Sequence, residues 1–368
     1  GHLRGVTSAE AKAAFQRAYA RLADVPRHPR RGLVLHGLAM VLCMRAEYAE
    51  ALDLAERAGS IASANDDPVL LPGVCTVQAE VHALQGRPAV ARHWAERGLQ
   101  ALAASETPSP HSFFTDPQVT LQGLLAVQLV ELGQVEAARA QMCQAERRAR
   151  ELGQPMAQMV AMWLAALLEV RLADAAAVAA LADGMRTLVD RFALAQGRTA
   201  CQWFGGWAEA RMGRAREGYR RIRDAYEQNA RLGMLAGASE TRGYAVEALV
   251  LAGDWDAAEE ELAAAFEFAN GHGERVYLVQ LLLLQAVIEE AQGQSAAAAV
   301  TARRALEEAR AREAPWLELI ALIHLCERAY ATAAERDALA RLVAACPEAP
   351  ATQVVSRARA LISPTAPL

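Results

Sequence analysis

Three tryptophans and two arginines near the middle of the chain have side chains suited to holding a ligand. Trp163 and Trp203 are 40 residues apart, as are Arg171 and Arg211, and Trp207 lies between Trp203 and Arg211. Aromatic rings and guanidinium groups together can hold an acidic or aromatic ligand through stacking and charge-assisted hydrogen bonds. The same rings could instead pack between neighbouring helices, and the sequence leaves both interpretations open.

A second candidate is a loop that carries two adjacent phenylalanines. The segment 105–117 places Phe113 and Phe114 just before Asp116 and Pro117, which fit the N-cap and first position of the next helix. Insertions in repeat proteins fall on one edge and often carry contacts. The two rings are expected to cover the mouth of a concave surface, to form an inter-domain contact, or to act as a hydrophobic plug.

The residues that could support catalysis or metal binding form no constellation in the sequence. His324 and Cys326 are two residues apart on a predicted helix and therefore face different sides. The six cysteines are scattered singly, without a CxxC pair, which is typical of buried thiols in a reducing compartment. The GxxxxGK[ST] phosphate-binding motif is missing from the sequence. We therefore predict a protein that is not an enzyme and that uses no metal and no cofactor.

A 40-residue period organises the chain around the candidate residues. Short turns centred on glycine or alanine recur at this spacing, with a single 47-residue step after the second, at Ala46, Gly86, Gly133, Ala173, Gly213, Gly253, Gly293 and Ala333. A small residue follows five residues later in seven of the eight repeats, where close packing of two helices excludes bulk. This pattern predicts an all-α, right-handed solenoid of about eight helical hairpins of the tetratricopeptide repeat (TPR) kind.

The two ends of the chain fit the same register. Ala11, Phe15 and Ala18 fall 40 residues before the second-helix positions of the next repeat. We therefore expect one superhelical domain in which residues 7–25 are the orphan second helix of a truncated repeat, 30–346 are eight hairpins and 350–362 are a closing helix. Residues 1–6 are expected to be a tag remnant and 363–368 a frayed tail, so that the chain is a fragment of a longer protein.

Composition agrees with a helical protein that has no global attraction for nucleic acid. The chain is 53% hydrophobic but only 5% aromatic, because its apolar content is mostly alanine and leucine, which favour helices. The 38 basic and 43 acidic residues give a net charge of -5, and this excludes a generally basic nucleic-acid-binding surface. We found no 18-residue apolar run or signal sequence, so we expect a cytoplasmic protein without a membrane partner.

In a solenoid of this kind the first helix of each hairpin lines the concave surface. Positions two to ten residues before each turn should therefore face inward, and they include the tryptophans and arginines above together with His36, Met40, Thr76, Glu80, Gly123, Val127, Leu167, Gly243, Glu247, Leu283, Val287 and Glu290. Of this set, Glu247 joins the three tryptophans, the two arginines and the two phenylalanines as the candidate binding site. Gly123 and Gly243 would either leave room for a ligand or relieve crowding.

Five short motifs give the chain a family resemblance over about residues 11–362. They are Tyr48–Leu52, Asp116–Val119, Leu132–Ala138, Gly253–Ala258 and Asn270–Tyr277. In order and spacing they resemble the C-terminal TPR-like region of bacterial predicted ATPases fused to adenylate-cyclase or winged-helix domains, and more distantly the maltose-activator type of LuxR regulator. The resemblance implies a sensor module in a nucleotide-dependent switch, although each motif is structural.

The expected function is accordingly binding without catalysis. We expect a module of a bacterial signalling or transcriptional regulatory ATPase that binds a small molecule or a partner segment on its concave face. Its partners would be a second protein or the other domains of its own full-length chain. The alternative is a structural scaffold, an oligomerisation domain or an intramolecular clamp that has no ligand.

Overall fold

The computed structural model describes residues 9–22, 28, 30–64, 67, 69–104, 115–194, 197–345 and 352–362. Within these residues the chain forms 18 α-helices and no strand. The helices are α1 (Ala9–Arg21), α2 (Arg31–Met44), α3 (Tyr48–Ala64), α4 (Leu70–Leu84), α5 (Pro88–Ala104), α6 (Pro117–Glu131), α7 (Val135–Leu152), α8 (Pro155–Arg171), α9 (Ala175–Phe192), α10 (Gly197–Arg211), α11 (Ala215–Arg231), α12 (Ala238–Ala252), α13 (Trp255–His272), α14 (Leu278–Ala291), α15 (Ser295–Ala311), α16 (Pro315–Glu327), α17 (Ala333–Ala345) and α18 (Gln353–Ile362).

The helices from α2 to α17 pair in chain order as eight hairpins, which confirms the predicted α-solenoid. The first helix of a hairpin lies inside and the second lies outside. In the third hairpin, for example, α6 buries 13 of its 15 residues, whereas α7 buries five of its 18. The inner helices are covered on several sides by neighbouring helices, so their sequences are apolar around the whole circumference, whereas the outer helices are amphipathic.

The turn inside each hairpin depends on one residue in the left-handed backbone region. A positive φ occurs at seven of the eight predicted turn positions, with values from 60° at Ala46 to 93° at Gly213. A residue in this conformation satisfies the last carbonyl groups of a helix, and glycine adopts it at least cost. The eighth position was wrong, because α16 ends early and the positive φ lies at Ala329, while Ala333 starts α17.

A second series of turns, which was not predicted from the sequence, joins one hairpin to the next. Gly153, Ala193, Gly233, Gly273 and Glu313 all have a positive φ and follow one another at 40-residue intervals. Each lies 20 residues after a turn of the first series, so both ends of these five described repeats keep the same register.

The superhelix coils back so that early hairpins contact late ones. The carbonyl oxygen of Met44, at the end of α2, accepts hydrogen bonds from the backbone of Leu235 and Ala236 at 2.7 and 3.0 Å. The carbonyl oxygen of Leu84, at the end of α4, accepts them from Arg275 and Val276 at 2.8 and 3.0 Å. These bonds join the turns of the first two hairpins to the loops that precede α12 and α14.

A buried carboxylate, Glu274, stabilises the same contact between early and late hairpins. It is fully buried, and it accepts hydrogen bonds from the backbone nitrogens of Gly237 and Ser239 at 2.8 and 2.9 Å. The hydroxyl of Tyr48, which starts α3, also donates to Glu274 across 226 residues of sequence. One acidic side chain, in the loop between the sixth and seventh hairpins, thus joins the first hairpin to the start of the sixth.

Several sequence expectations fall outside the described residues. These are the tag remnant, the tail, Phe113 and Phe114. Helices α1 and α18 lie within the segments expected for the orphan and closing helices, and the division of the whole chain stays a prediction. The described helices include none that is long and apolar enough to cross a bilayer.

Candidate functional site

The inner helices enclose two cavities that meet at Arg171. The first, here the central cavity, has a volume of about 290 Å³ and is lined by α2, α4, α6, α8, α10 and α12, which are the first helices of hairpins one to six. The second, here the C-terminal cavity, has a volume of about 230 Å³ and is lined by the C-terminal parts of α8 and α10 with α12, α14, α16 and α18. Arg171 lines both cavities.

Most of the predicted inward positions line one of these cavities, but His36, Gly123, Gly243 and Glu290 line neither. The central cavity receives Met40, Thr76, Glu80, Val127, Trp163, Leu167, Arg171 and Trp203. The C-terminal cavity receives Trp207, Arg211, Glu247, Leu283 and Val287, again with Arg171. The sequence treated the tryptophans and arginines as one cluster, but the structure places them in two neighbouring spaces.

In the C-terminal cavity the candidate residues bind one another. Trp207 is only 2% exposed, and its indole Nε1 donates a hydrogen bond to Oε2 of Glu247 at 2.8 Å. The guanidinium group of Arg211 lies over the Trp207 ring, 5.1 Å from its centre, and pairs with the same carboxylate. The three side chains thus satisfy each other, and Trp207 packs as a core residue.

Arg171 is likewise occupied by acidic partners rather than free for an acidic ligand. Its side chain pairs with Glu131 at 3.2 Å and with Glu240, and the hydroxyl of Tyr244 donates to Glu240 at 2.7 Å. Burial by itself would lower the pKa of Arg171, but Glu240, Tyr244 and Glu131 together raise that pKa well above its usual value. The guanidinium group therefore stays charged and holds three inner helices, α6, α8 and α12, together.

Trp163 and Trp203 differ from Trp207 because both are only half-buried while lining the central cavity. The ring of Trp203 meets that of Phe204 edge to face, with centres 5.8 Å apart. Their remaining surface is available to whatever enters the cavity.

Glu80 lines the central cavity, and its chemical importance was underestimated from the sequence. The sequence placed it at an inward position but not among the candidate binding residues. Its carboxylate makes no hydrogen bond or ion pair with any residue that the structure describes. Burial raises the pKa of this carboxyl group to about 7, because the surroundings disfavour its charged form.

Methionine is strongly concentrated around the same space. Five of the nine methionines of the chain line the central cavity: Met40, Met44, Met156, Met159 and Met234. Thioether side chains are flexible and polarisable, and they adapt to ligands of different shapes. The sequence did not reveal this enrichment, because Met156, Met159 and Met234 lie outside the predicted inward positions.

The two inward glycines make room for neighbouring side chains, not for a ligand. A Cβ at Gly243 would lie 2.3 Å from Cδ1 of Tyr277, and a Cβ at Gly123 would lie 2.4 Å from Cδ1 of Leu164. Both glycines therefore relieve crowding between adjacent inner helices. No cluster of three or more potential metal ligands occurs among the described residues.

No known family model matches the chain, and no curated protein matches it. Among solved structures it is similar to a Rap protein complexed with competence and sporulation factor, at 11% identity and a TM-score of 0.57, covering 90% of this chain and 97% of that protein. A tetratricopeptide repeat protein from Parabacteroides merdae has 16% identity and a TM-score of 0.41, covering 74% and 91% of the two chains. Yeast Tom70 has 11% identity and a TM-score of 0.36, covering 96% of each chain. At such identity the likeness to the Rap protein concerns the fold, a TPR-like helical repeat.

Proposed function

We propose that this protein is a non-enzymatic binding module that takes a small molecule or a segment of a partner protein into its central cavity. The observation that carries the proposal is the convergence of six inner helices on one space in which Trp163 and Trp203 keep accessible surface. Protein interiors are normally packed as densely as organic crystals. A cavity lined by apolar, aromatic and a few polar side chains is the usual form of a ligand site.

The solved structure of the Rap protein supports the proposal that a superhelix of this shape binds a ligand. The Rap protein was solved in complex with competence and sporulation factor. The further context, a signalling or transcriptional regulatory ATPase of bacteria, rests on the sequence resemblance, and the nature of the attached domains follows from that resemblance alone.

Occupation of the cavity would favour the closed superhelix. The central cavity is shared by hairpins one to six, and the hydrogen bonds of Met44 and Leu84 close the coil beside it. A ligand that contacts helices from both ends of this set binds the closed form better than an opened one. Such a difference in affinity is what shifts a conformational equilibrium, and attached domains would sense the shift.

Tryptophan fluorescence with matched variants tests the proposal. The protein is titrated with a panel of metabolites, nucleotides and peptides, and the response is compared between wild type, Trp203→Ala and Trp94→Ala. Trp94 is also half-buried but lies on the outer helix α5 and lines neither cavity. We expect a saturable change that Trp203→Ala abolishes and Trp94→Ala preserves, with helicity intact in both variants.

The proposal is contradicted if no member of the panel changes the tryptophan fluorescence of the wild-type protein. If Trp203→Ala then only lowered the melting temperature, the rings would be packing residues. The chain would in that case be a scaffold or clamp that works without a ligand.

A further inference from the structure

We infer that the central cavity binds an apolar organic cation, for which the carboxylate of Glu80 is the counter-charge. This inference rests on the proposed function and names the chemical class of its ligand. It follows from the charge, the aromatic surface and the flexibility of the cavity wall.

The fixed charges of the cavity leave an excess of negative charge. Its charged lining residues are Glu80, Arg171 and Glu240. Arg171 is already paired with Glu240 and, behind the wall, with Glu131. No other lysine or arginine is among the described lining residues, so the Glu80 carboxylate has no basic side chain to neutralise it.

Glu80 is half-buried, and no cation on the described cavity wall offsets the cost of burying part of its carboxylate. On the α2 and α4 side of the cavity wall, Met44, Ala83 and Leu84 offer no side-chain hydrogen-bond donor, and the hydroxyl of Thr76 donates to the carbonyl oxygen of Pro72 at 2.9 Å. An unpaired carboxylate in apolar surroundings destabilises a fold, and an uncharged side chain of similar size would avoid that cost. Perturbed groups that face a cavity are candidates for function on this ground.

The remaining wall suits the body of a lipophilic cation. Trp163 and Trp203 offer ring surface, and the face of an aromatic ring attracts a cation within about 6 Å of its centre. The methionine side chains around the rings can rearrange to fit ligands of several shapes. An acidic ligand would instead meet Glu80 and Glu240, while Arg171, the one arginine among the described wall residues, is engaged.

Two pairs of probes with similar apolar bodies and opposite charges test the inference. They are tetraphenylphosphonium with tetraphenylborate, and the smaller benzyltrimethylammonium with benzenesulfonate. Binding is measured by isothermal titration calorimetry at pH 8, where Glu80 is mostly ionised. We expect at least one cation to bind, and to bind at least about tenfold more tightly than its anionic counterpart.

Glu80→Gln keeps the shape of the side chain and removes its charge. We expect this variant to weaken binding of that cation by about tenfold or more and to abolish the preference over the anion. Glu307→Gln is the matched control, because Glu307 is exposed on the outer helix α15 and lines neither cavity. Circular dichroism verifies that both variants remain folded.

The inference is overturned if neither cation binds, if the anions bind as tightly as the cations, or if Glu80→Gln leaves cation affinity unchanged. The neutral fluorescent probe N-phenylnaphthylamine separates this failure from failure of the proposed function. If that probe binds and Trp203→Ala abolishes its binding, the cavity is a ligand site that does not select cations. If no probe and no member of the panel binds, both proposals fail together.

Discussion

The indole nitrogen of Trp207 donates a hydrogen bond to Glu247, 2.8 Å away and one repeat of 40 residues further along the chain. Two other side-chain hydrogen bonds span the same interval, from Arg171 to Glu131 and from Tyr330 to Glu290. In the pairs Trp207–Glu247 and Arg171–Glu131 the partners occupy equivalent positions in adjacent hairpins, whereas Tyr330 lies in the turn after α16. Polar groups at equivalent inward positions therefore hydrogen-bond neighbouring inner helices to each other. Apolar side chains pack without this directionality and cannot select one partner in the same way.

Trp207→Phe should destabilise the protein more than Trp203→Phe does. The first change removes the donor to a partly buried carboxylate and costs about 1–3 kcal/mol of unfolding free energy. The second shortens a half-buried ring that makes no hydrogen bond of this kind, and we expect less than about 1 kcal/mol. Urea denaturation followed by circular dichroism measures both. Equal losses would mean that the hydrogen bond to Glu247 contributes nothing.

Arg171→Leu should be among the most damaging single changes. It leaves Glu131 and Glu240 buried without their cation, which costs about 3–5 kcal/mol of unfolding free energy. Adding Glu131→Gln and Glu240→Gln should recover most of that loss, because the uncompensated charges are then gone. Arg211→Leu serves as the control, since Glu247 keeps the hydrogen bond from Trp207, and a loss below about 1 kcal/mol is expected for this more exposed pair. A triple variant no more stable than Arg171→Leu would contradict the electrostatic explanation.

Glu80 should make the wild-type protein less stable as the pH rises from about 4.5 to about 7. The folded protein holds the Glu80 proton up to a pKa of about 7, whereas the ordinary value is 4.5, so the folded state binds more protons in this window. Glu80→Gln removes the effect and should raise the unfolding free energy at pH 8, relative to pH 4, by up to about 3 kcal/mol.

The buried His36 titrates in an overlapping window with the opposite sign, because burial lowers its pKa to about 4. The informative quantity is therefore the difference between wild type and Glu80→Gln at each pH, measured by urea denaturation. A difference that does not change with pH would show that Glu80 titrates normally in the folded protein.

Gly243→Ala and Gly271→Ala should have opposite effects. A Cβ at Gly243 would meet the ring of Tyr277 at 2.3 Å, whereas a Cβ at Gly271 would find no heavy atom within 4 Å. Overpacking at the first site costs about 1–3 kcal/mol of unfolding free energy. The second site lies near the end of α13, where alanine favours the helix by up to about 1 kcal/mol. Thermal and urea unfolding compare the two, and a stabilised Gly243→Ala would show that the inner helices separate easily.

Repetition explains why the hairpins were predictable from the sequence. Each turn requires a residue that tolerates a positive φ, and each close helix contact requires a small residue, so glycine and alanine mark both at fixed intervals. The last turn escaped this reasoning because α16 is shorter, and alanine at 329 or at 333 fits the composition equally well.

Contacts across the superhelix were not predictable in the same way. The partner of Arg171 at Glu131 lies one period away, but its second partner, Glu240, is 69 residues distant and follows no interval of the repeat. Such pairs depend on the small rotation between successive hairpins, which accumulates along the array. The division of the tryptophans between two cavities has the same origin, because Arg171 and its partners form the wall between them.

The hydrogen bond from Tyr48 to Glu274 also fixes an order of events during synthesis. The two residues are 226 positions apart, and at roughly 5–20 residues per second a ribosome needs on the order of 10–45 s to make the chain between them. Hairpins formed from neighbouring residues can assemble during that interval, but the closing contact cannot. The nascent protein therefore leaves the closing contacts of its first hairpins unmade until residues 235–276 emerge, and during that time chaperones can reach the first hairpins.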